Sequence, residues 1–165
     1  MDVTCGTSLL SVEIRVEQVR GPAIEGLLRE HLTDMMRHSP VESVHALDLD
    51  RLRADDITFW TVTDDAELLG CGALRELTAD HGEVKSMRTA QAHLRRGVAA
   101  ALLQHLVDEA IARGYRRLSL ETGSGPAFAP ARALYARSGF SECGPFGEYV
   151  EDPYSVFMTR RLSTA

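Results

Sequence analysis

Hydrophobic and polar positions recur with two different periods along the chain, and the changes of period divide it into predicted strands and helices. In Ser11–Val16 the two kinds of residue alternate, as they do in a half-buried strand. In Ala23–Met36, which follows Pro22, apolar residues recur at helical spacing. The same reasoning predicts strands at Ile57–Thr63, Glu67–Leu77, Glu83–Thr89, Arg117–Thr122, Ser141–Phe146 and Ser155–Arg161. It predicts further helices at Leu47–Ala54, Gly97–Arg113 and Pro130–Ser138.

This order of elements predicts a mixed sheet with helices on its faces, of the α/β (α+β) class. Glu83–Thr89, Gly97–Arg113 and Arg117–Thr122 form a βαβ unit, whose two strands we expect to be parallel with a right-handed crossover. The chain has 165 residues, which fits the size of one domain at about 100–200 residues each. We therefore predict a single domain over residues 1–165, with its core at about 11–162.

Composition places this domain among ordinary globular proteins. Apolar residues make up 44% and charged residues 25%, values that exclude a disordered chain. The longest apolar run, Val98–Leu103, is too short to cross a membrane, and the first basic residue, Arg15, comes too late for a secretory signal. The three cysteines are isolated, which predicts no disulfide framework, no zinc site and a reducing cytoplasm: Cys5, Cys71 and Cys143.

The net charge narrows the class of partner. It is −6, with a pI near 5.5, so a nucleic-acid partner is not expected, because such a partner needs a basic face. A cationic or neutral small molecule fits the charge better. His31, His38 and His45 recur every seven residues, but no carboxylate or cysteine completes a ligand set, so we predict no metal.

A short loop before the longest helix carries the most informative pattern. Arg95, Arg96 and Gly97 lead directly into the helix, and residues 97 and 99–101 are small. The first turn of a helix leaves about four N–H groups unpaired and carries partial positive charge, so an anion can bind there. From spacing alone, an ordinary βαβ connection with solvated arginines explains the loop equally well.

Two segments, Leu94–Ala99 and Tyr135–Phe140, carry motifs that resemble those of the Gcn5-related N-acetyltransferases (GNAT). Leu94-Arg-Arg-Gly-Val-Ala99 is similar to the family's phosphate-binding pattern Q/R-x-x-G-x-G/A, with Leu94 as the departure. Tyr135-Ala-Arg-Ser-Gly139-Phe140 is similar to its Y-x-x-x-G-F pattern. The resemblance implies a mostly antiparallel sheet of about seven strands, with a central splayed parallel pair and helices on both faces.

The resemblance also implies a cosubstrate, acetyl-CoA, and its binding residues. The pyrophosphate would lie on the segment from Leu94 to Ala100, namely Leu94, Arg95, Arg96, Gly97, Val98, Ala99 and Ala100. The pantetheine arm would pair with Met87, Arg88 and Thr89. Phe128 stands where the family often has a cofactor-contacting asparagine.

The catalytic residues implied are an acid and a base. Tyr135 matches the usual general acid, which protonates the leaving thiolate, although a helix tyrosine followed by Gly139 and Phe140 is also explained by packing. Glu83 resembles the family's glutamate base; Glu121 and His81 are the alternatives, as is a water chain. Strand alternation predicts that Glu83, Lys85 and Met87 share one face, with Val84, Ser86 and Arg88 on the other.

The predicted reaction is transfer of an acetyl group to the primary amine of a small molecule. His38, Trp60 and Glu121 are the candidate acceptor contacts. A non-catalytic acyl-CoA sensor and a protein or peptide acetyltransferase remain alternatives, and the resemblance leaves a homodimer open.

Overall fold

The computed structural model describes residues 12–163, which build one seven-stranded sheet in the order β1-β2-β3-β4-β5-β7-β6. The strands are β1 (Glu13–Val16), β2 (Ile57–Asp64), β3 (Glu67–Thr78), β4 (His81–Thr89), β5 (Arg117–Gly123), β6 (Ser141–Cys143) and β7 (Ser155–Arg161). The helices are α1 (Pro22–His38), α2 (Val98–Ala112) and α3 (Ala129–Arg137). The predicted mixed sheet is confirmed; Ser11, placed in the first strand by its pattern, lies outside the described residues.

Strands β4 and β5 are the parallel pair, and they separate soon after they meet. Only His81, Gly82 and Glu83 are in register with β5, opposite Arg117–Ser119. All other neighbouring strands are antiparallel. The unpaired remainder of β4 and β5 opens a gap in the sheet, which is the splay that the resemblance implied.

A hydrophobic layer covers each face of the sheet. On one face, α2 buries Leu102, Leu103 and Leu106 against the sheet, together with Tyr135 of α3. On the other face, α1 buries Leu27 and Leu28 against β2 and β3. Helices therefore lie on both faces, as predicted.

Helix ends are set by glycines with a left-handed backbone. Gly97 (φ 80°) precedes α2, and Gly114 (φ 82°) follows it. Gly139 (φ 89°) follows α3. Other residues are strained in this conformation, so these glycines end or begin the helices where the sequence predicts.

The helix predicted at Leu47–Ala54 is wrong, since only a 3-10 turn forms there, at Arg51–Arg53. Asp48 accepts a hydrogen bond from the Arg51 backbone N–H at 2.7 Å, which favours a turn over a continued helix. Leu47 and Leu49, which are two residues apart, both pack against the hydrophobic cluster between α1 and the sheet, as alternate residues of an extended segment can. The strand predicted at Ser141–Phe146 is shorter than expected, because its pairing with β7 ends at Cys143.

Candidate active site

A cavity of about 120 Å³ occupies the gap between β4 and β5. Its walls come from α1, the segment that follows α1, the two splayed strands and α3. Polar groups on the wall include His31, Ser43, His45, Lys85, Ser86, Glu121 and Tyr135. The splay therefore places side chains from distant parts of the sequence around one space.

A β-bulge at Ser86 decides which way the β4 side chains point. Cys71 of β3 pairs with Arg88 and Ala73 pairs with Lys85, so a single β3 residue, Gly72, lies opposite Ser86 and Met87. Ser86 has a φ of 54°, a left-handed conformation that is rare outside glycine. The extra residue frees backbone groups from the ladder at the edge of the cavity.

The predicted alternation along β4 is wrong beyond Lys85, because the bulge reverses it. Met87 packs on the α2 face, where its sulfur lies against Gly72. Arg88 turns to the α1 face, where its guanidinium binds Asp34 at 2.7 Å and Glu30 at 2.8 Å. Arg88 thus fixes α1 over β4, while Met87 lines the cavity.

The start of α2 has the features of an anion site. No side chain caps its first turn, which also contains no acidic residue. Gly97 and Arg95 both have positive φ, at 80° and 62°. Such a turn aims successive backbone N–H groups outwards and supplies positive potential, so this segment fits a pyrophosphate.

Side chains around that turn differ in availability. Leu94, Arg95 and Ala100 are exposed, Ala99 is half-buried, and Val98 is buried against Gly70 of β3. The Arg96 guanidinium lies 2.8 Å from Nδ1 of His93, whose Nε2 lies 2.9 Å from Glu67. Val98 therefore offers only its backbone, and Arg95 and Arg96 are both exposed at the rim, with Arg96 held by its contact with His93.

Tyr135 lines the cavity from α3, with its ring against Phe140. Burial, with a smaller contribution from the charge of Glu121, raises its pKa to about 12. The phenol therefore holds its proton at neutral pH, as a general acid must before it donates.

Phe128 lines the same side of the cavity. A side chain at Gly123 would overlap its ring, since a Cβ built there lies 2.1 Å from Phe128 Cδ2. The ring fills the space above the end of β5, where an asparagine would present an amide.

Glu83, the first candidate base, lies in a buried cluster rather than on the cavity wall. It is fully buried, and the Tyr149 hydroxyl donates to it at 2.5 Å. Lys85 Nζ lies 3.3 Å from the same carboxylate oxygen and donates to Tyr149 Oη at 2.8 Å and to the His45 carbonyl at 2.9 Å. We call Glu83, Lys85, Tyr149 and the His45 carbonyl the Lys85 cluster.

Tyr149 is a member of this cluster that sequence reasoning missed. Burial first, and then the charge of Glu83, raise its pKa above the usual range. Its ring packs against His45, Phe146 and Phe157. Tyr149 follows the predicted strand Ser141–Phe146, and no sequence pattern links it to Glu83, which lies 66 residues earlier.

Glu121 lies on the cavity wall, directly accessible from the space between the strands. It accepts a hydrogen bond from Ser155 Oγ at 2.8 Å. Burial raises its pKa, against the opposing effects of Ser155, His45 and Lys85. A carboxylate of raised pKa on a cavity wall has the properties of a general base.

Three other predicted site residues lie away from the cavity wall. The Trp60 prediction is wrong, because its ring is buried on the α2 face beside His105 and Arg113. His38 pairs with Asp34 and touches the cavity only through the Phe128 ring. His81 lies at the far end of β4, 2.7 Å from Ser119 Oγ, and burial lowers its pKa.

His31 is the α1 histidine that lines the cavity instead of His38. It lies one helical turn before Met35, which also lines the cavity, whereas His38, two turns along at the last residue of α1, pairs with Asp34. Burial and the nearby Arg88 lower its pKa to about 4, so its ring is neutral at pH 7. Its Nδ1 is buried without a hydrogen-bond partner.

Across residues 12–163, no three His, Cys, Asp or Glu side chains come together in a way that suits a metal ion. In the same range, no helix has the length and apolar character needed to span a bilayer.

Comparison with known proteins settles the family. Residues 24–140 match the Acetyltransferase (GNAT) family. The chain belongs to this family. It is 54% identical to an uncharacterized N-acetyltransferase, YsnE, of Bacillus subtilis strain 168, over 92% of this chain and all of that protein.

Two further similarities agree with the GNAT assignment. The chain is 39% identical to a protein named IAA acetyltransferase from Azospirillum brasilense, over 74% of this chain and 80% of that one. A GNAT acetyltransferase from Elizabethkingia anophelis, crystallised with acetyl-CoA bound, shares the fold with a TM-score of 0.66 at 17% identity, over 92% of this chain and 98% of that one. This GNAT chain is therefore an acyltransferase.

Proposed function

We propose that this GNAT protein transfers the acetyl group of acetyl-CoA to the primary amine of a small molecule. The observation that carries the proposal is that Tyr135 and Glu121, a proton donor and a proton acceptor, line one cavity between the splayed strands. Both are desolvated, and each has its pKa raised by burial.

Acetyl-CoA fits a path from the start of α2 to the cavity. Its pyrophosphate would bind the uncapped N–H groups around Gly97, with Arg95 at the rim. Its pantetheine amides would pair with the backbone of Met87–Thr89, beyond the point where β4 leaves β5. The thioester would then reach the bulge at Ser86, beside Tyr135.

In the proposed reaction the amine attacks the thioester carbonyl carbon directly. The tetrahedral oxyanion that forms accepts hydrogen bonds from backbone N–H groups freed by the bulge at Ser86. The C–S bond then breaks, and the departing CoA thiolate takes the proton of Tyr135. Tyr135 then takes a proton back from the nitrogen of the collapsing intermediate, and because a thiol has a pKa of about 8.5 the CoA released at neutral pH keeps its proton.

The amine must lose a proton during this attack, and we assign its removal to Glu121. Glu121 lies on the cavity wall, whereas Glu83 is covered by Lys85 and Tyr149. In this assignment Glu83 is the counter-ion of Lys85 rather than the base.

Release of CoA thiol from acetyl-CoA in the presence of a panel of small amines tests the proposal. Mass spectrometry of the products should reveal the gain of one acetyl group. Binding of acetyl-CoA by calorimetry without turnover on any amine would instead assign the protein as an acyl-CoA sensor. Turnover on peptides alone would assign it as a protein acetyltransferase.

A pair of glycine variants tests the proposed pyrophosphate site. Gly97→Glu places an acidic side chain at the N–H groups of α2 and should abolish measurable acetyl-CoA binding. Gly114→Glu is the matched control, because Gly114 has nearly the same φ at the other end of α2 and no atom within 4 Å of a built Cβ. Equal loss of binding in both variants would contradict the site.

A further inference from the structure

The charged side chains on the cavity wall differ in how far other protein groups pair with them, and this difference bears on which acceptor the cavity can bind. Among the described residues, Lys85 and Glu121 are the charged side chains that line the cavity. Two histidines also line it: His31, as a neutral ring at pH 7, and His45, whose ring packs edge-on against Tyr149. The selectivity of the cavity therefore depends on how far each of these two charges is already compensated by protein groups.

The charge of Lys85 is fully compensated within the protein. An ammonium has three N–H donors, and Lys85 Nζ has three acceptors: the His45 carbonyl at 2.9 Å, Tyr149 Oη at 2.8 Å and Glu83 Oε1 at 3.3 Å. Glu83 also neutralises its charge. An anionic group entering the cavity would have to break one of these bonds to reach Lys85.

The next cation along β4 is held by two carboxylates of α1. Arg88 binds Asp34 through one terminal nitrogen and Glu30 through the other. Its remaining nitrogen, Nε, is buried without a hydrogen-bond partner. Arg88 does not line the cavity, so a ligand in the cavity would not contact its guanidinium.

Glu121 is the charge that has no salt-bridge partner within the described residues: His45 and Lys85 lower its pKa, but neither forms an ion pair with it. Its hydrogen-bond partner is a neutral hydroxyl, Ser155 Oγ. No arginine or lysine within the described chain forms a salt bridge with it. A desolvated carboxylate gains most from a cation brought in by a ligand.

We propose that the acceptor is a cationic amine without a neighbouring carboxylate, such as an alkylamine or arylalkylamine, whose ammonium binds Glu121. This inference rests on the proposed function and narrows its substrate class. An α-amino acid would bring a second carboxylate beside Glu121 with no free cation to pair it, and an unpaired buried charge is costly. The apolar remainder of the acceptor would pack against Met35, Val44 and Phe128 of the wall.

Matched acceptors that differ only in the carboxyl group test the proposal. We would compare 2-phenylethylamine with phenylalanine, and 3-methylbutylamine with leucine, by thiol release and product mass. The expected kcat/KM is higher for each amine by about 100-fold, the range expected when a charge is left unpaired in a buried site. Phenylalaninamide, which has similar bulk without the negative charge, should behave like the amine.

Each outcome separates this inference from the proposed function. Amino acids acetylated as well as their amines would overturn the inference and leave the acetyltransferase proposal standing. An amide rejected as strongly as the acid would also overturn it, because size rather than charge would then decide. Bound acetyl-CoA with transfer to no acceptor in the panel would overturn both proposals.

Glu121→Gln gives a second test, which compares two acceptors within one variant, so that a slower reaction common to both does not affect the result. Loss of the base slows acetylation of both members of a pair, so their ratio isolates acceptor recognition from catalysis. The ratio of amine to amino acid should fall at least tenfold in this variant. Glu142→Gln, on the exposed face of β6, is the control and should leave the ratio unchanged; a ratio unchanged in Glu121→Gln as well would contradict the binding role.

Discussion

Glu83 and Glu121 face the same side of two neighbouring strands, yet their surroundings give them different chemistry. Glu83 accepts a hydrogen bond from Tyr149 and pairs with Lys85, so its charge is compensated inside the protein. Glu121 meets one hydroxyl and the cavity. A carboxylate that is paired with a cation inside the protein is held in place by that cation. A carboxylate that is desolvated without such a pair has its pKa raised towards the value useful for proton transfer.

Glu121→Gln should therefore change the pH profile of the enzyme. A base acts when deprotonated, so kcat/KM rises as pH increases through its pKa. Because burial raises the pKa of Glu121, this rise should lie above the ordinary glutamate value of about 4.3. In the glutamine variant the rise should disappear and kcat should fall by about 10²–10⁴-fold.

Profiles of thiol release between pH 4 and pH 9 measure this effect, with Glu83→Gln compared alongside. If Glu83→Gln removes the acidic limb and Glu121→Gln retains it, the assignment of the base is reversed.

Tyr135→Phe removes the proposed acid while keeping the ring that packs on Phe140. We expect kcat to fall by about 10²-fold or more, since the thiolate must then leave without a proton. KM for acetyl-CoA and the melting temperature should stay close to their original values. Steady-state kinetics measure kcat and the KM for acetyl-CoA, and thermal unfolding measures the melting temperature.

The matched control for this variant is Tyr154→Phe, at an exposed tyrosine. An unchanged kcat in Tyr135→Phe would assign Tyr135 to packing alone, which is the other explanation its sequence context allowed.

Among the elements, the three helices follow from local pattern, and β4 illustrates where local pattern fails. Apolar spacing, Pro22 and terminal glycines locate α1, α2 and α3 within a few residues. The bulge in β4 has no such marker, because its left-handed residue is Ser86 rather than glycine. Its position depends on pairing with β3 and on the gap to β5, which are properties of the assembled sheet.

Helix α1 should make the protein acid-sensitive through His31. Burial and Arg88 lower the folded-state pKa of His31 from 6.5 to about 4, with Asp34 opposing and Lys85 adding to the shift. Between these values the unfolded chain binds the proton more strongly, so stability decreases as pH falls from 6.5 to 4. The shift corresponds to about 3 kcal/mol.

Urea unfolding at pH 7 and at pH 4.5 measures this loss of unfolding free energy. His31→Asn should show a smaller difference between the two pH values than the original protein. His38→Asn, on the same helix but half-exposed, should retain the full difference. Equal pH sensitivity in the original protein and His31→Asn would contradict the role of His31.

Across the whole molecule, contacts distant in sequence build the part of the site that could not be predicted. Glu83 and Tyr149 are 66 residues apart and meet because β5 and β7 bring the loop before β7 back over β4. The motifs around Gly97 and Tyr135 are local and could be found in the sequence. Cys71 and Cys143 are free thiols. The reducing compartment and the homodimer stay predictions.

Net charge and local charge make opposite predictions for acetyl-CoA binding. The protein carries −6 overall, which repels a polyanion, whereas the start of α2 presents unpaired N–H groups and Arg95. The Debye length is about 10 Å at 0.1 M salt, so charges close to the ligand dominate over the distant net charge. Binding should therefore weaken as salt increases, by roughly three- to tenfold between 0.05 and 1 M.

Arg95→Asn tests the local origin of this salt effect, since asparagine tolerates the positive φ of position 95. Calorimetric titration should give weaker binding at low salt and a smaller dependence on salt. Arg20→Asn removes the same charge from an exposed position that precedes α1. Because β1 leads to Arg20 at the end of the sheet opposite the start of α2, this control should retain the original salt dependence. Binding that strengthens with salt would mean that the overall negative charge, rather than the turn at Gly97, governs the approach of the cosubstrate.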